Sequence, residues 1–212
     1  GDIDIEVTGD VAFVAGTSSK NNETSWSGDD ARLIAQLGHG GYDADPSNGN
    51  NVNIDQVRQP GDPATGTAGA GDGVWGHFGD IRLVSKNGDI SFMAGSNIPV
   101  ADRLDYDGNP LQISDPLGIL TSHGGGGGRI HYAQAGHGGY STGGNHQGDI
   151  TIVAENGGVH VVGGMLTNDN SSGQLHYAQI GHGSSNANTT TPAGNLAGDI
   201  KVHALGGNVV VV

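Results

Sequence analysis

Apolar and polar residues alternate in short bursts along this chain, and the bursts recur. The tripeptide Gly-Asp-Ile occurs at Gly1, Gly79, Gly148 and Gly198, and each copy opens an alternating run: IDIEV from Ile3, IRLV from Ile81, ITIV from Ile150 and IKV from Ile200. A period of two predicts a strand with one buried face. Eight or nine residues after each of these isoleucines a second run begins, VAFVAG from Val11, ISFMAG from Ile90, VHVVGG from Val159 and VVVV from Val209. A third element follows in the first three copies: ARLIAQLGHGGY from Ala31, RIHYAQAGHGGY from Arg129 and QLHYAQIGHGSS from Gln174. Good helix formers never gather over a helical window, so a long helix is not expected anywhere.

The chain therefore divides into repeat units 1–78, 79–147, 148–197 and an incomplete 198–212, with spacings of 78, 69 and 50 residues. The extra length sits at particular junctions, about Asp43–Phe78 in the first unit and Ser96–Gly128 in the second, as it does where loops project from a regular core. A lone unit cannot bury its apolar face, but stacked copies form a continuous core. The fold class expected is all-β: a single parallel β-helix, or β-solenoid, segment with about three strands per turn and long inserted loops. Parallel stacking in register places Ile3, Ile81, Ile150 and Ile200 in one inward column, and Val11, Ile90, Val159 and Val209 in a second. The alternative is an antiparallel sandwich in which the first two strands of each unit form a hairpin, with turns at Thr8-Gly9-Asp10 and Asn87-Gly88-Asp89.

Composition narrows the function. Of 212 residues 41 are glycine, without the three-residue period of collagen. Cysteine is absent, which removes disulfides and thiolate metal sites and suits an exported protein. Asp and Glu number 22 against 8 Lys and Arg, a formal net charge of −14, so nucleic acid is excluded as a partner by charge repulsion. No apolar run approaches the roughly 20 residues of a membrane helix, and no membrane span is expected. Of the acidic residues 19 are Asp, a turn former, and only 3 are Glu.

The recurring polar residues are the candidate sites. The aspartates Asp2, Asp80, Asp149 and Asp199 would stack about 5 Å apart, where a cation could relieve their repulsion; the simpler reading is that each accepts backbone N–H groups at a turn. His39, His137 and His182 recur in Gly-His-Gly, with Gln36, Gln134 and Gln179 before them. Columns of imidazole can bind a transition metal or titrate together, and columns of amide can hydrogen-bond from copy to copy. No HxH or HExxH spacing accompanies these histidines, and a structural ladder accounts for all three sets, with glycines turning the corner at positive φ. Asp102, Asp105, Asp107 and Asn109, around Gly108, resemble part of a calcium loop without its distal Glu, so calcium is the one cofactor held open. The run Gly124–Gly128 is followed by no Gly-Lys-Ser/Thr and is not a phosphate loop. Arg32, Arg58, Arg82, Arg103 and Arg129 are scattered, and no nucleophile motif such as G-x-S-x-G is present, so no catalytic residue is assigned.

The segments GDIDIEVTGDVAFVAG, GDIRLVSKNGDISFMAG and GDITIVAENGGVHVVGG resemble the degenerate repeats of filamentous-haemagglutinin-type exoproteins, and YAQIGHG resembles repeats of very large bacterial surface proteins of similar type. The resemblance covers about 60 residues over four copies. It implies a right-handed parallel β-helix, export to the bacterial cell surface, and a role in adhesion or filament formation, with no catalytic residues to carry over. The expectation is a non-enzymatic extracellular structural protein, a stretch of a longer rod. Its partners would be further copies of the same repeat and a host-cell or carbohydrate receptor. The rivals are a carbohydrate-active β-helix enzyme or phage tail-spike segment, and a calcium-stabilised adhesin module.

Overall fold

The structure is a computed structural model that describes residues 1–15, 32–39, 76–95, 130–139, 145–164, 176–183 and 195–212. Fourteen strands and no helix occur among the described residues. The first repeat holds β1 (Ile3–Val7), β2 (Val11–Val14), β3 (Arg32–Leu37) and β4 (Gly76–Phe78). The second holds β5 (Ile81–Ser85), β6 (Ile90–Met93), β7 (Ile130–Ala135) and β8 (Asn145–Gln147). The third holds β9 (Ile150–Ala154), β10 (Val159–Val162), β11 (Ala178–Ile180) and β12 (Leu196–Ala197), and the fourth β13 (Ile200–Ala204) and β14 (Val209–Val211).

Every pairing is parallel and joins a strand to its copy in the next repeat. The first sheet runs β1-β5-β9-β13, the second β2-β6-β10-β14, the third β3-β7-β11 and the fourth β4-β8-β12. The register has no slip: Ile3 faces Ile81, Ile81 faces Ile150 and Ile150 faces Ile200, while Val11, Ile90, Val159 and Val209 line up in the second sheet. The hairpin alternative is overturned. Its turn segments bond to their copies instead, Lys86 N–H to the Val7 carbonyl and Asn87 N–H to the Thr8 carbonyl, both at 2.8–2.9 Å. Ser85 strengthens that pairing, its hydroxyl donating to the Gly9 carbonyl at 2.7 Å.

Two features differ from the sequence expectation. A fourth short sheet lies just before the Gly-Asp-Ile copies at Gly79, Gly148 and Gly198, so each full repeat contributes four strands rather than about three. Its first member, Gly76–Phe78, closes the expected loop segment Asp43–Phe78 with a strand, and His77 within it is fully buried. The second difference is that β6 and β10 are buried on both faces rather than one. Ile90, Phe92 and Val159 face the main core, while Ser91, Met93, His160 and Val162 on the other face are buried as well.

One core is shared by the first three sheets. Ile81, Leu83, Ile150 and Ile152 come from the first, Ile90, Phe92 and Val159 from the second, and Leu37, Ala133 and Ala135 from the third. Stacked copies also pair their rings, Phe13 on Phe92 and Tyr132 on Tyr177, each with centroids 4.9 Å apart and planes within 6°. That distance is the strand spacing itself. On the polar side of the first sheet, unlike charges face one another: Arg82 bridges Asp4 at 2.7 Å and Glu6 at 3.3 Å, and Lys86 bridges Glu155 at 2.9 Å and Glu6 at 3.4 Å. These pairs are exposed enough to set register more than to add stability.

Glycine is required where the backbones of successive copies touch. Gly148 has a φ of 147°, and a Cβ there would collide with the carbonyl oxygen of Gly79. Gly148→Ala is expected to cost about 3 kcal/mol or more, from the strained φ and the collision together. Gly9→Ala, with no atom within 4 Å of the added carbon, is expected to change stability by less than about 0.5 kcal/mol. Urea denaturation of the two variants checks the contrast.

Candidate functional site

The recurring polar residues meet where the third sheet ends and the first begins. After β3, β7 and β11 the chain turns through Gly-His-Gly, and Gly38, Gly136 and Gly181 take φ of 149°, 151° and 154°. That turn sets the imidazoles of His39, His137 and His182 one above another. Their centroids are 5.0 and 5.2 Å apart and their planes lie within 8° and 13° of parallel.

The His137 and His182 rings are used at both nitrogens. His137 Nδ1 accepts the backbone N–H of His39 at 3.0 Å, and His182 Nδ1 accepts that of His137 at 3.0 Å. Toward the other side, Nε2 of His39, His137 and His182 lies 2.8, 2.7 and 2.7 Å from the carbonyl oxygens of Gly1, Gly79 and Gly148. A carbonyl oxygen only accepts, so Nε2 carries the proton, and Nδ1, which accepts from an amide, cannot. The His137 and His182 rings are thereby held neutral in one tautomer. Neither has a lone pair left for a metal. Each imidazole ties the Gly-His-Gly corner to the Gly-Asp-Ile glycine of its own repeat, so the two recurrent motifs are directly bonded.

The amides act on the same corner. Gln36 Nε2 donates to the carbonyls of Gly136 at 3.1 Å and Gly138 at 2.6 Å, and Gln134 Nε2 to those of Gly181 at 3.0 Å and Gly183 at 3.1 Å. Gln179 turns to Gly183 of its own repeat at 3.0 Å. These amides donate to backbone carbonyls, whereas a glutamine ladder bonds one amide to the next. The reason is the corner itself, whose carbonyls have turned out of the sheet and need donors.

The aspartates form their own ladder. Asp2 Oδ1 accepts the N–H of Asp80 at 3.0 Å, Asp80 Oδ1 that of Asp149 at 2.8 Å, and Asp149 Oδ1 that of Asp199 at 2.9 Å. A second such column runs from Asp10 to Asp89 and from Asp89 to the N–H of Gly158, at 2.8 and 2.7 Å. Sequence inspection missed this second column, although Asp10 and Asp89 both stand just before a second-run strand.

It also missed a second stack of imidazoles. His77 and His146, on β4 and β8, are fully buried, with centroids 5.1 Å apart and planes 6° from parallel. Leu196 takes the place of a third copy. The readable signal was position, since His77, His146 and Leu196 each stand four residues before an aligned isoleucine. Burial pushes the pKa of His146 down to about 3 and that of His137 down to about 4, with the neighbouring imidazoles adding to both shifts. Burial also lowers that of His160, against the pull of Asp89.

Asp102, Asp105, Asp107 and Asn109 lie outside the described residues. Among the described residues no group of three or more His, Asp or Glu side chains is arranged to hold a metal. No family model, curated protein or solved structure matches this chain.

The aspartate ladder distinguishes a hydrogen-bond role from a metal role. Asp80→Asn keeps an acceptor oxygen and removes a charge beside Asp2 and Asp149, so its stability is expected to equal or exceed that of the parent. Asp80→Ala leaves the Asp149 N–H without its partner and is expected to cost about 1–2 kcal/mol. Urea midpoints with and without millimolar calcium check both; a calcium-dependent loss in Asp80→Asn would point to a metal instead. His137→Phe keeps a ring in the stack but abandons the His39 N–H and the Gly79 carbonyl. Its urea midpoint is expected to fall by the equivalent of about 2–4 kcal/mol.

Proposed function

We propose that this chain is a segment of a non-enzymatic extracellular structural protein, a right-handed β-helix that serves as a stiff rod in a bacterial surface filament or adhesin. The observation that carries the reading is the unbroken parallel register. Among the described residues each strand pairs with its own copies in the repeats before and after, so length along the stacking direction grows with repeat number. The imidazole bonds from the third sheet to the start of the first support a closed coil. The resemblance of the repeats to filamentous-haemagglutinin-type exoproteins supports the export and the surface role. The acidic composition keeps such a rod soluble and discourages side-by-side association.

Its partners in this reading are further copies of the same repeat along the filament, and a host-cell or carbohydrate receptor met by the inserted segments 43–75 and 96–128. On the polar face of the first sheet the carboxylates Asp4, Glu6 and Glu155 are tied to Arg82 and Lys86, an arrangement suited to holding strands in register rather than to acid–base work on a sugar. Electron microscopy of the native material is expected to show rods or fibres of uniform width. Discrete compact particles, or release of reducing sugar from polysaccharides by the purified protein, would replace this reading with the enzyme or tail-spike alternative.

A further inference from the structure

We propose that the two imidazole columns form an acid-labile latch: proton uptake there parts each Gly-His-Gly corner from that of the preceding repeat and opens the stack in mildly acidic surroundings. The inference does not depend on the proposed function. It rests on how the five rings are placed.

His137 has no site for a proton that the fold tolerates. A proton on Nδ1 would point at the N–H of His39, which now donates to that nitrogen. The proton already on Nε2 is given to the Gly79 carbonyl. Taking up a second proton therefore breaks the bond to the preceding repeat. It also sets a cation among other imidazoles. Among the described residues, the titratable groups acting on His137 are His39 and His182, above and below it, and His77 from the fourth sheet. Those acting on His146 are His77, His182 and His137. Each ring charged would repel the next across about 5 Å. The stacking that holds neutral rings together thus turns against the fold once they charge.

The sign follows from linkage. Both folded-state pKa values, about 4 for His137 and about 3 for His146, lie below the ordinary imidazole value of 6.5. Between those limits the unfolded chain binds more protons, so stability is complete above pH 6.5 and falls as the pH drops toward 4. At pH 5.5 each of these rings lowers the folding equilibrium constant about tenfold, and the two together about a hundredfold. Acidification also reduces the self-repulsion of a chain with formal net charge −14, which favours the compact state. A loss of stability in this range runs against the general electrostatics and marks the buried imidazoles as its source.

The test is urea denaturation followed by far-ultraviolet circular dichroism at pH 7.5, 6.5 and 5.5, all above the sequence pI of about 4.7. The parent is expected to lose about a hundredfold in folding equilibrium constant between pH 7.5 and 5.5. The double variant His77→Leu, His146→Leu, which extends the leucine of the third repeat through the column, is expected to lose about tenfold. A parent midpoint that does not move with pH would overturn the proposal, and so would a folded variant that keeps the full pH dependence. Should the variant not fold, nitrogen-15 NMR of the imidazoles in the parent decides. His137 and His146 rings that stay neutral until the β signal collapses support the latch. Either ring protonating near pH 6.5 inside an intact fold refutes it.

Discussion

In-register parallel pairing makes each residue the neighbour of its own copy, about 5 Å away, and the rest of the structure is a set of answers to that constraint. Isoleucine on isoleucine and phenylalanine on phenylalanine are favourable as they stand. Charge on like charge is not. The chain meets this on the first sheet by alternating sign, Asp4 against Arg82, and along the Gly-Asp-Ile edge by giving each carboxylate a backbone N–H from the next copy. Imidazole meets it by remaining neutral, with one nitrogen donating and the other accepting. Glycine appears where even a methyl group would not fit between two main chains, as at Gly148.

The polar residues at the corners do a second job. Leaving a sheet exposes main-chain groups that the ladder no longer pairs, and burying them unpaired would cost about 1–3 kcal/mol each. Gln36 and Gln134 serve the carbonyls of the turn, and His137 serves an amide on one side and a carbonyl on the other. A motif that looks chosen for chemistry is thus accounted for by hydrogen-bond satisfaction. Both nitrogens of His137 are occupied by the backbone, which leaves the ring open to protons only at the expense of the fold.

Much of the fold was legible because the signal was long enough to read. Runs such as IDIEV and ITIV alternate over five residues, and their equal spacing from the next run fixes which residues lie over which. The columns at Asp80, Gln134 and His137 could be named for the same reason: a residue that recurs at a constant offset in a stack must meet its copy. The fourth sheet was not legible because GHF, NHQ and LA are two or three residues long and share no hydrophobic period; only the offset of His77, His146 and Leu196 from the following isoleucine marks it. The partners of the glutamines were missed for a different reason. Sequence alignment says that Gln36 lies beside Gln134, but not that the turned carbonyls of Gly136 and Gly138 are the nearer acceptors.

The carboxylate and amide handshakes between repeats share one direction. Asp2 reaches the repeat after it, and so do Asp80 and Asp149; Gln36 and Gln134 do the same. Since the Gly-Asp-Ile aspartate and the Gly-His-Gly histidine recur in each of the first three repeats, those units share their main connectors. Excising the middle one would bring Asp2 to Asp149 and His39 to His182 with no new chemistry to invent. Genetic duplication or loss of a whole unit is therefore a gentle change for such a molecule, whereas inserting a single residue within a strand would put every later side chain of that strand on the wrong face.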